Sequence, residues 1–301
     1  MNKIIKKQLA FTLIELLVVI AIIGILSALI VVGMNSTTQK ANVAKSQVFA
    51  NSLRNSLMSN IVAQYSFDDI NASDYDPTTK VMNNDAGNVP DSWLDNEGRA
   101  YNGPIVKDGA DCVSGKCLSF DANDDYVSCG NIGIPINGTA TLEGWFYANS
   151  KATDSGHFNY FFYGDSTDNL FYIHSANNYI YTAGWEYVPY DFPIKKWNHL
   201  VLTYSGDSST AKLYVNGIKY SFTIQSGASN MPSLTIFGIA KATVSFDGMI
   251  DEIRVYNAIV PTSQIQQNYF TGLNKLFAKN QITQTDYQQR LTELSSDYAK
   301  Q

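Results

Sequence analysis

The stretch from Phe11 to Met34, FTLIELLVVIAIIGILSALIVVGM, constrains this chain more than any other part of it. It carries no charge from Leu16 to Val32. A run of about 20 apolar residues at 1.5 Å per residue is enough to cross a bilayer core as a helix. Lys3, Lys6 and Lys7 precede it, with no acid among the first ten residues. The positive-inside rule then places residues 1–10 in the cytoplasm and everything after Met34 on the far side of a single span. A secretory signal would have a shorter apolar run with a small-residue cleavage site behind it. Here the helical pattern continues instead. Residues 35–62 contain neither Pro nor Gly, and Val43, Ala50, Leu53, Leu57 and Ile61 form one apolar stripe. The expectation is one helix over 11–62, about 78 Å long, whose membrane part is about 11–34 and whose second half is amphipathic.

Glu15 is the one charge inside the apolar segment. A carboxylate there demands a specific positive partner. Ala10-Phe11-Thr12-Leu13-Ile14-Glu15, with the lysines before it, resembles the leader of type IV prepilins. That resemblance implies a prepilin peptidase cutting between Ala10 and Phe11, removal of a 1–10 leader, and N-methylation of Phe11. It also implies that Glu15 of one subunit pairs with the new amine as helices pack in a filament. The family usually has Gly before the cut; Ala10 in its place favours slower cleavage. Gly24 matches the glycine at which such helices locally unwind.

Beyond Tyr65 the pattern changes to short runs rich in β-branched and aromatic residues: 141–148, 158–165, 170–175, 197–205, 211–222, 233–240 and 251–257. Asn216-Gly217 between two such runs signals a two-residue hairpin, because both positions favour positive φ. The expected fold class is α+β: the long N-terminal helix, an antiparallel β-sandwich over 63–261, and a short helical segment over 262–301. The blocks GKCLSFDANDDYVSCG, TLEGWFYA, WNHLVLTYSGDSSTAKLYVNGIKY and FDGMIDEIRVYNAIVPTSQIQ resemble the LamG-like, concanavalin A-like lectin/glucanase jelly roll. Leu273, Leu276 and Phe277, followed by Tyr287, Leu291 and Leu294, give the tail the pattern of a helical hairpin. It resembles the short C-terminal hairpins appended to other bacterial domains.

Several function classes are excluded or disfavoured. A net charge of −6 is the wrong sign for a protein that binds nucleic acid by neutralising phosphates. Related folds hydrolyse glycans with an E-x-D-x-x-E strand, which is absent here. Asp251 and Glu252 are adjacent, so a strand would point them to opposite faces. No enzyme activity is therefore expected. Trp145, Trp197 and His199 read as core and sheet residues. The resemblance brings the opening and closing strands together, so Asp68, Asp247 and Asp251 are a candidate calcium site of hard oxygen donors. The acidic run 121–125 reads as a solvated hairpin turn. Trp185, Tyr187 and Tyr190, on one long loop, form a candidate platform for a glycan or surface-protein ligand. Export permits a disulfide. Cys112–Cys117 closes a small loop and Cys117–Cys129 would span a hairpin; the first is favoured, leaving Cys129 buried.

The resulting expectation is a type IV pilin-like subunit, held in the cytoplasmic membrane before assembly and displayed afterwards on a surface filament. Its partners would be the membrane, other pilin subunits, the peptidase and a ligand of the exported body. The alternatives are a pseudopilin of a secretion or DNA-uptake machine, and a membrane-tethered lectin-like adhesin that does not polymerise.

Overall fold

The computed structural model describes residues 57–68, 80–82, 98–152, 159–164, 169–183, 186–224, 227–234, 237–240 and 246–298. The apolar segment, Ala10, Phe11, Glu15 and Gly24 lie outside them. Among the described residues, no helix is long and apolar enough to cross a membrane. Residues 54–301 form a compact unit.

The strands are β1 (Ile61–Tyr65), β2 (Lys80–Met82), β3 (Gly98–Tyr101), β4 (Ile105–Asp108), β5 (Lys116–Asp121), β6 (Tyr126–Gly130), β7 (Thr139–Ala148) and β8 (Asn159–Tyr163). They continue as β9 (Asn169–Ile173), β10 (Ile180–Thr182), β11 (Glu186–Val188), β12 (Trp197–Ser205), β13 (Lys212–Val215), β14 (Ile218–Ser221), β15 (Phe237–Ile239) and β16 (Asp247–Tyr256). Two helices follow, α1 (Thr262–Ala278) and α2 (Gln284–Tyr298). One sheet runs β14-β13-β12-β7-β16-β5-β4, with β1 also on β16; the other runs β11-β10-β9-β8-β15-β6-β3-β2. The pairings are antiparallel throughout. This is the β-sandwich expected from the strand pattern.

Period-two alternation builds the core between the sheets. Leu142 and Phe146 of β7, Leu200 and Leu202 of β12, and Ile250 and Ile253 of β16 meet Phe161, Phe171, Ile173 and Ile180 of the second sheet. Phe146 packs against Phe161 and Phe162, and Phe246 against Phe146 and Phe161. The Asn216-Gly217 turn joins β13 to β14 with φ of 52° and 80°, as the hairpin signal requires.

Two boundaries differ from expectation. The first strand begins at Ile61, inside the segment expected to be helical. Ile61 pairs with Tyr256 and Tyr65 with Ile253, so the sheet ladder overrides the helical stripe. The 121–125 run is a crossover rather than a hairpin turn, because β5 belongs to one sheet and β6 to the other. The same crossover settles the cysteines. Cys117 faces outward beside Cys112, to which it is disulfide-bonded. Cys129 lies in the inter-sheet core, hydrogen-bonded to Tyr65, and its burial pushes the thiol up to about 12.

The tail packs on the first sheet's outer face. Trp145, Trp197, the disulfide, Tyr269, Leu273, Leu276 and Leu294 form one apolar cluster. Polar contacts bound it: Gln281 Nε2 and Lys279 Nζ donate to Cys112 O at 2.7 and 3.0 Å, and Arg290 Nη1 to Trp197 O at 2.9 Å. Gly272 lets α1 come close, since a methyl there would overlap the Trp145 indole. Gly272→Ala should therefore destabilise the body by about 1–3 kcal/mol through overpacking, despite alanine's better helix propensity. Chemical denaturation checks this; an unchanged or higher midpoint would mean that the indole yields freely.

Candidate functional site

Three polar or aromatic constellations stand out: a buried acid–histidine pair, the acids around β16 and a row of tyrosines. The first is under the tail helices. Glu143 and His199 are fully buried, with His199 Nε2 2.9 Å from Glu143 Oε1. Asn268 of α1 donates to Glu143 Oε2 at 3.1 Å, and Arg254 Nη1 lies 3.7 Å from Oε1. Burial opposes ionisation of Glu143, but the His199 hydrogen bond, His199 and Arg254 charges and Asn268 outweigh it and lower its pKa. A carboxylate so enclosed anchors α1 to the sheet. Removing one partner of such a buried group typically costs about 3–5 kcal/mol.

The second is the set of acids near β16. Asp251 sits where β16 exchanges β5 for β1 as its neighbour, at a bulge with Glu252 at φ 51°. Its carboxylate accepts from Ser114 N–H at 2.9 Å and Glu252 N–H at 2.7 Å. Burial is the main reason its pKa is raised. Asp68 is near enough to Asp251 to act on it electrostatically, and its Oδ1 accepts from Lys116 N–H at 2.7 Å. Asp247 lies four residues along the strand, about 13 Å away at the strand rise, where Asn149 and Ser150 donate to it. The structure thus separates Asp247 from Asp68 and Asp251, and the expected three-acid calcium site does not assemble.

Among the described residues, the acidic trio that does converge is Asp121, Asp124 and Asp125, with ligand atoms within 4.8 Å of one another. These are hard donors of the type Ca²⁺ takes. Asp121 and Asp124 are exposed and Asp125 is buried, accepting from Asp121 N–H at 3.0 Å. Burial, then Asp121 and Asp124, push the Asp125 carboxyl up to about 6.

The third constellation was not legible as a unit in the sequence. Tyr160 of β8 lies opposite Tyr172 of β9, Tyr172 opposite Tyr181 of β10, and Tyr181 opposite Tyr187 of β11. Their rings stack at 5.1, 5.6 and 5.4 Å, and Tyr179 stacks on Tyr187 at 5.9 Å. This row forms a cluster separate from the core, on the outer face of the second sheet. His174 lies 5.0 Å from Tyr181, and Asn177 Nδ2 donates to the Tyr181 hydroxyl at 2.9 Å. The one hint in the sequence is that each of these four strands carries a Tyr in the same alternating phase. Of the expected loop platform, Tyr187 belongs to this row. Tyr190 instead packs toward the core against Tyr220, its hydroxyl pushed up to about 12 by burial. Trp185 lies outside the described residues. Tyr187 and Tyr190 thus fall on different faces and do not form one platform.

The acidic crossover yields a pH prediction. Because folding raises the Asp125 pKa above the ~3.9 of a free Asp, it favours the protonated form. The stability this contributes is full below about pH 4 and is lost as pH rises through about 6. Asp125→Asn keeps an acceptor for Asp121 N–H and cannot ionise. Between pH 4 and 7 the melting temperature of the wild-type chain should fall more than that of the variant; equal slopes would remove Asp125 from the pH response.

The sequence of residues 121–266 matches the family model of the concanavalin A-like lectin/glucanases superfamily, and residues 5–31 match the prokaryotic N-terminal methylation motif. No curated protein matches the chain. Solved structures of similar architecture include domain 4 of AbnA, a GH43 extracellular arabinanase from Geobacillus stearothermophilus, in complex with arabinotriose. It is 18% identical with a TM-score of 0.49, covering 69% of this chain and 97% of that one. The binding domain of botulinum neurotoxin serotype D is 12% identical with a TM-score of 0.49, covering 73% and 53%. Trypanosoma rangeli sialidase in complex with the inhibitor DANA is 12% identical with a TM-score of 0.46, covering 69% of this chain and 32% of that one. At these scores and identities they carry no argument about ligand or activity. Two family signatures are joined in this chain: a prokaryotic N-terminal methylation motif, and a concanavalin A-like lectin/glucanase jelly roll.

Proposed function

We propose that the chain is a type IV pilin-like filament subunit that displays a carbohydrate-binding, lectin-like jelly roll outside the cell. The observation that carries this reading is Phe11-Thr12-Leu13-Ile14-Glu15 inside the matched methylation motif, in one chain with a lectin-type body. On this reading 1–10 is the leader, the helix from Phe11 is the membrane anchor and then the filament core, and the body and its tail hairpin are the displayed cargo. The role is assembly and binding rather than catalysis. Assembly draws on burial of apolar helix surface and on pairing of the Glu15 carboxylate with the amine that cleavage creates on Phe11 of a neighbour. In a low-dielectric filament core that pair holds its attraction far better than it would in water.

Mass spectrometry of the chain purified from its host should find a mature N-terminus at methylated Phe11. Surface-exposed protein that retains Met1 would overturn the reading. Glu15→Ala should leave membrane insertion intact, since it removes a charge from the span, while incorporation into sheared surface filaments drops at least tenfold. Assembly at wild-type levels would refute the pairing.

A further inference from the structure

We propose that the outer end of the tyrosine row, Tyr179 and Tyr187 with Tyr181, Asn177 and His174, is a binding site for neutral carbohydrate. The inference rests on the carbohydrate-binding reading above and places that binding on a particular face.

The placement follows from what the two outer sheet faces offer. On the first sheet the tail helices cover Trp145 and Trp197, so those rings present no surface. On the second sheet the outer face carries the tyrosine row, and burial along it is graded. Tyr160, Tyr172 and Tyr181 are 3%, 0% and 6% exposed, whereas Tyr187 and Tyr179 are half-buried. A ligand therefore meets the row at its β10–β11 end. There the buried members act as a brace: each ring stacks on the next, so Tyr187 and Tyr179 lose little side-chain freedom when something docks on them.

The ligand class follows from the chemistry. Among the described residues, Tyr179 is the last ring of the row, stacked on Tyr187 with an interplanar angle of 13°. A sugar ring that lays its C–H face on Tyr179 continues the stack, which is how an amphipathic ring with an apolar face and a polar rim is held. The hydrogen-bonding groups beside it are uncharged. Asn177 is fixed at both ends of its amide: Oδ1 accepts from Tyr179 N–H at 3.0 Å and Nδ2 donates to Tyr181. His174 Nδ1 accepts from Ala176 N–H at 3.0 Å, which leaves the proton of the neutral ring on Nε2. Burial lowers the His174 pKa and favours that neutral form. No carboxylate, lysine or arginine is among these five residues, and the chain as a whole carries −6. Lys151, linked to the neighbouring Asn178 through Asp191, is already paired with that aspartate at 2.8 Å, so a sialylated or sulfated glycan would find no countercharge among the five residues and would be repelled by the net charge.

The test uses the full chain in detergent. A printed array of neutral and anionic glycans is screened first, and the best neutral hit is titrated by saturation-transfer NMR. Tyr179→Ala should weaken binding about tenfold or more, and Tyr179→Leu, which keeps apolar bulk without a ring face, should do the same. Tyr179→Phe should stay within about threefold of wild type, since the ring face is retained. If the neutral hit binds wild type, Tyr179→Ala and Tyr179→Leu equally, this placement is overturned while the carbohydrate reading stands. If only anionic glycans bind, the ligand class is overturned. If no glycan on the array binds, the carbohydrate reading itself falls, and this site with it. Using both Ala and Leu guards against misfolding, because a loss shared by two well-folded variants, with melting temperatures close to wild type, cannot come from collapse of the sheet.

Discussion

Strand β16 is the element on which the body is registered. It pairs with β7 along one edge, and on the other with β5 at its start and β1 at its end. On the shared edge Asp251 and Glu252 pair with neither β5 nor β1, so the ladder breaks there, and on the other edge the same stretch bulges against β7. A bulge leaves amides without ladder partners. The Asp251 carboxylate takes the N–H of Glu252, and also that of Ser114 from the disulfide loop. One buried acid thus fixes the crossover from β5 to β1 and ties the Cys112–Cys117 loop to the centre of the sheet. Glu252 extends the same connection outward through Arg254 and Lys275 of α1.

From this follows the division of labour between the two outer faces. Sheet one is a docking floor for α1 and α2, with charged anchors at its centre and indoles around them. Among the described residues, the outer face of sheet two carries the tyrosine row in place of the tail, buried at Tyr160, Tyr172 and Tyr181 and half-buried at Tyr179 and Tyr187. In a sandwich whose inner faces are consumed by the core, binding has only outer faces, edges and loops to use. Closing one outer face with the chain's own residues narrows the choice further.

The strand pattern, the Asn216-Gly217 turn and the Cys112–Cys117 bond were legible in the sequence because each depends on local chemistry: alternation, positive φ, a short loop. What failed depended on which strands become neighbours. Ile61 looked helical because its stripe with Leu57 is sound, and only its partner Tyr256, far along the chain, turns it into sheet. The failed hairpin reading of residues 121–125 is also what kept Cys117–Cys129 open as the less favoured pairing, whereas β5 and β6 enter different sheets. Asp68, Asp247 and Asp251 were grouped because the resemblance brings the opening and closing strands together, yet four residues along an extended strand carry Asp247 about 13 Å from Asp251. The tyrosine row was hidden for the converse reason, since its members come from four strands and meet only through register. The glycine at 272 carried no visible signal, because its meaning is the indole above it.

The order of the chain gives the docked tail a temporal meaning. Synthesis proceeds from the N-terminus, so β7 and β12 exist, with Trp145 and Trp197 on their outer face, before α1 and α2 have been made. Until the last helices arrive, that face is an open apolar surface bearing a buried-type acid and histidine with no cover. β1 likewise waits for β16, its partner nearly two hundred residues later, and such distant pairings form slowly. The body therefore cannot reach its final state piecemeal as it emerges. The outer face of the first sheet is complete only once the tail has been made, and a chain that stops short of it leaves Trp145 and Trp197 without their cover.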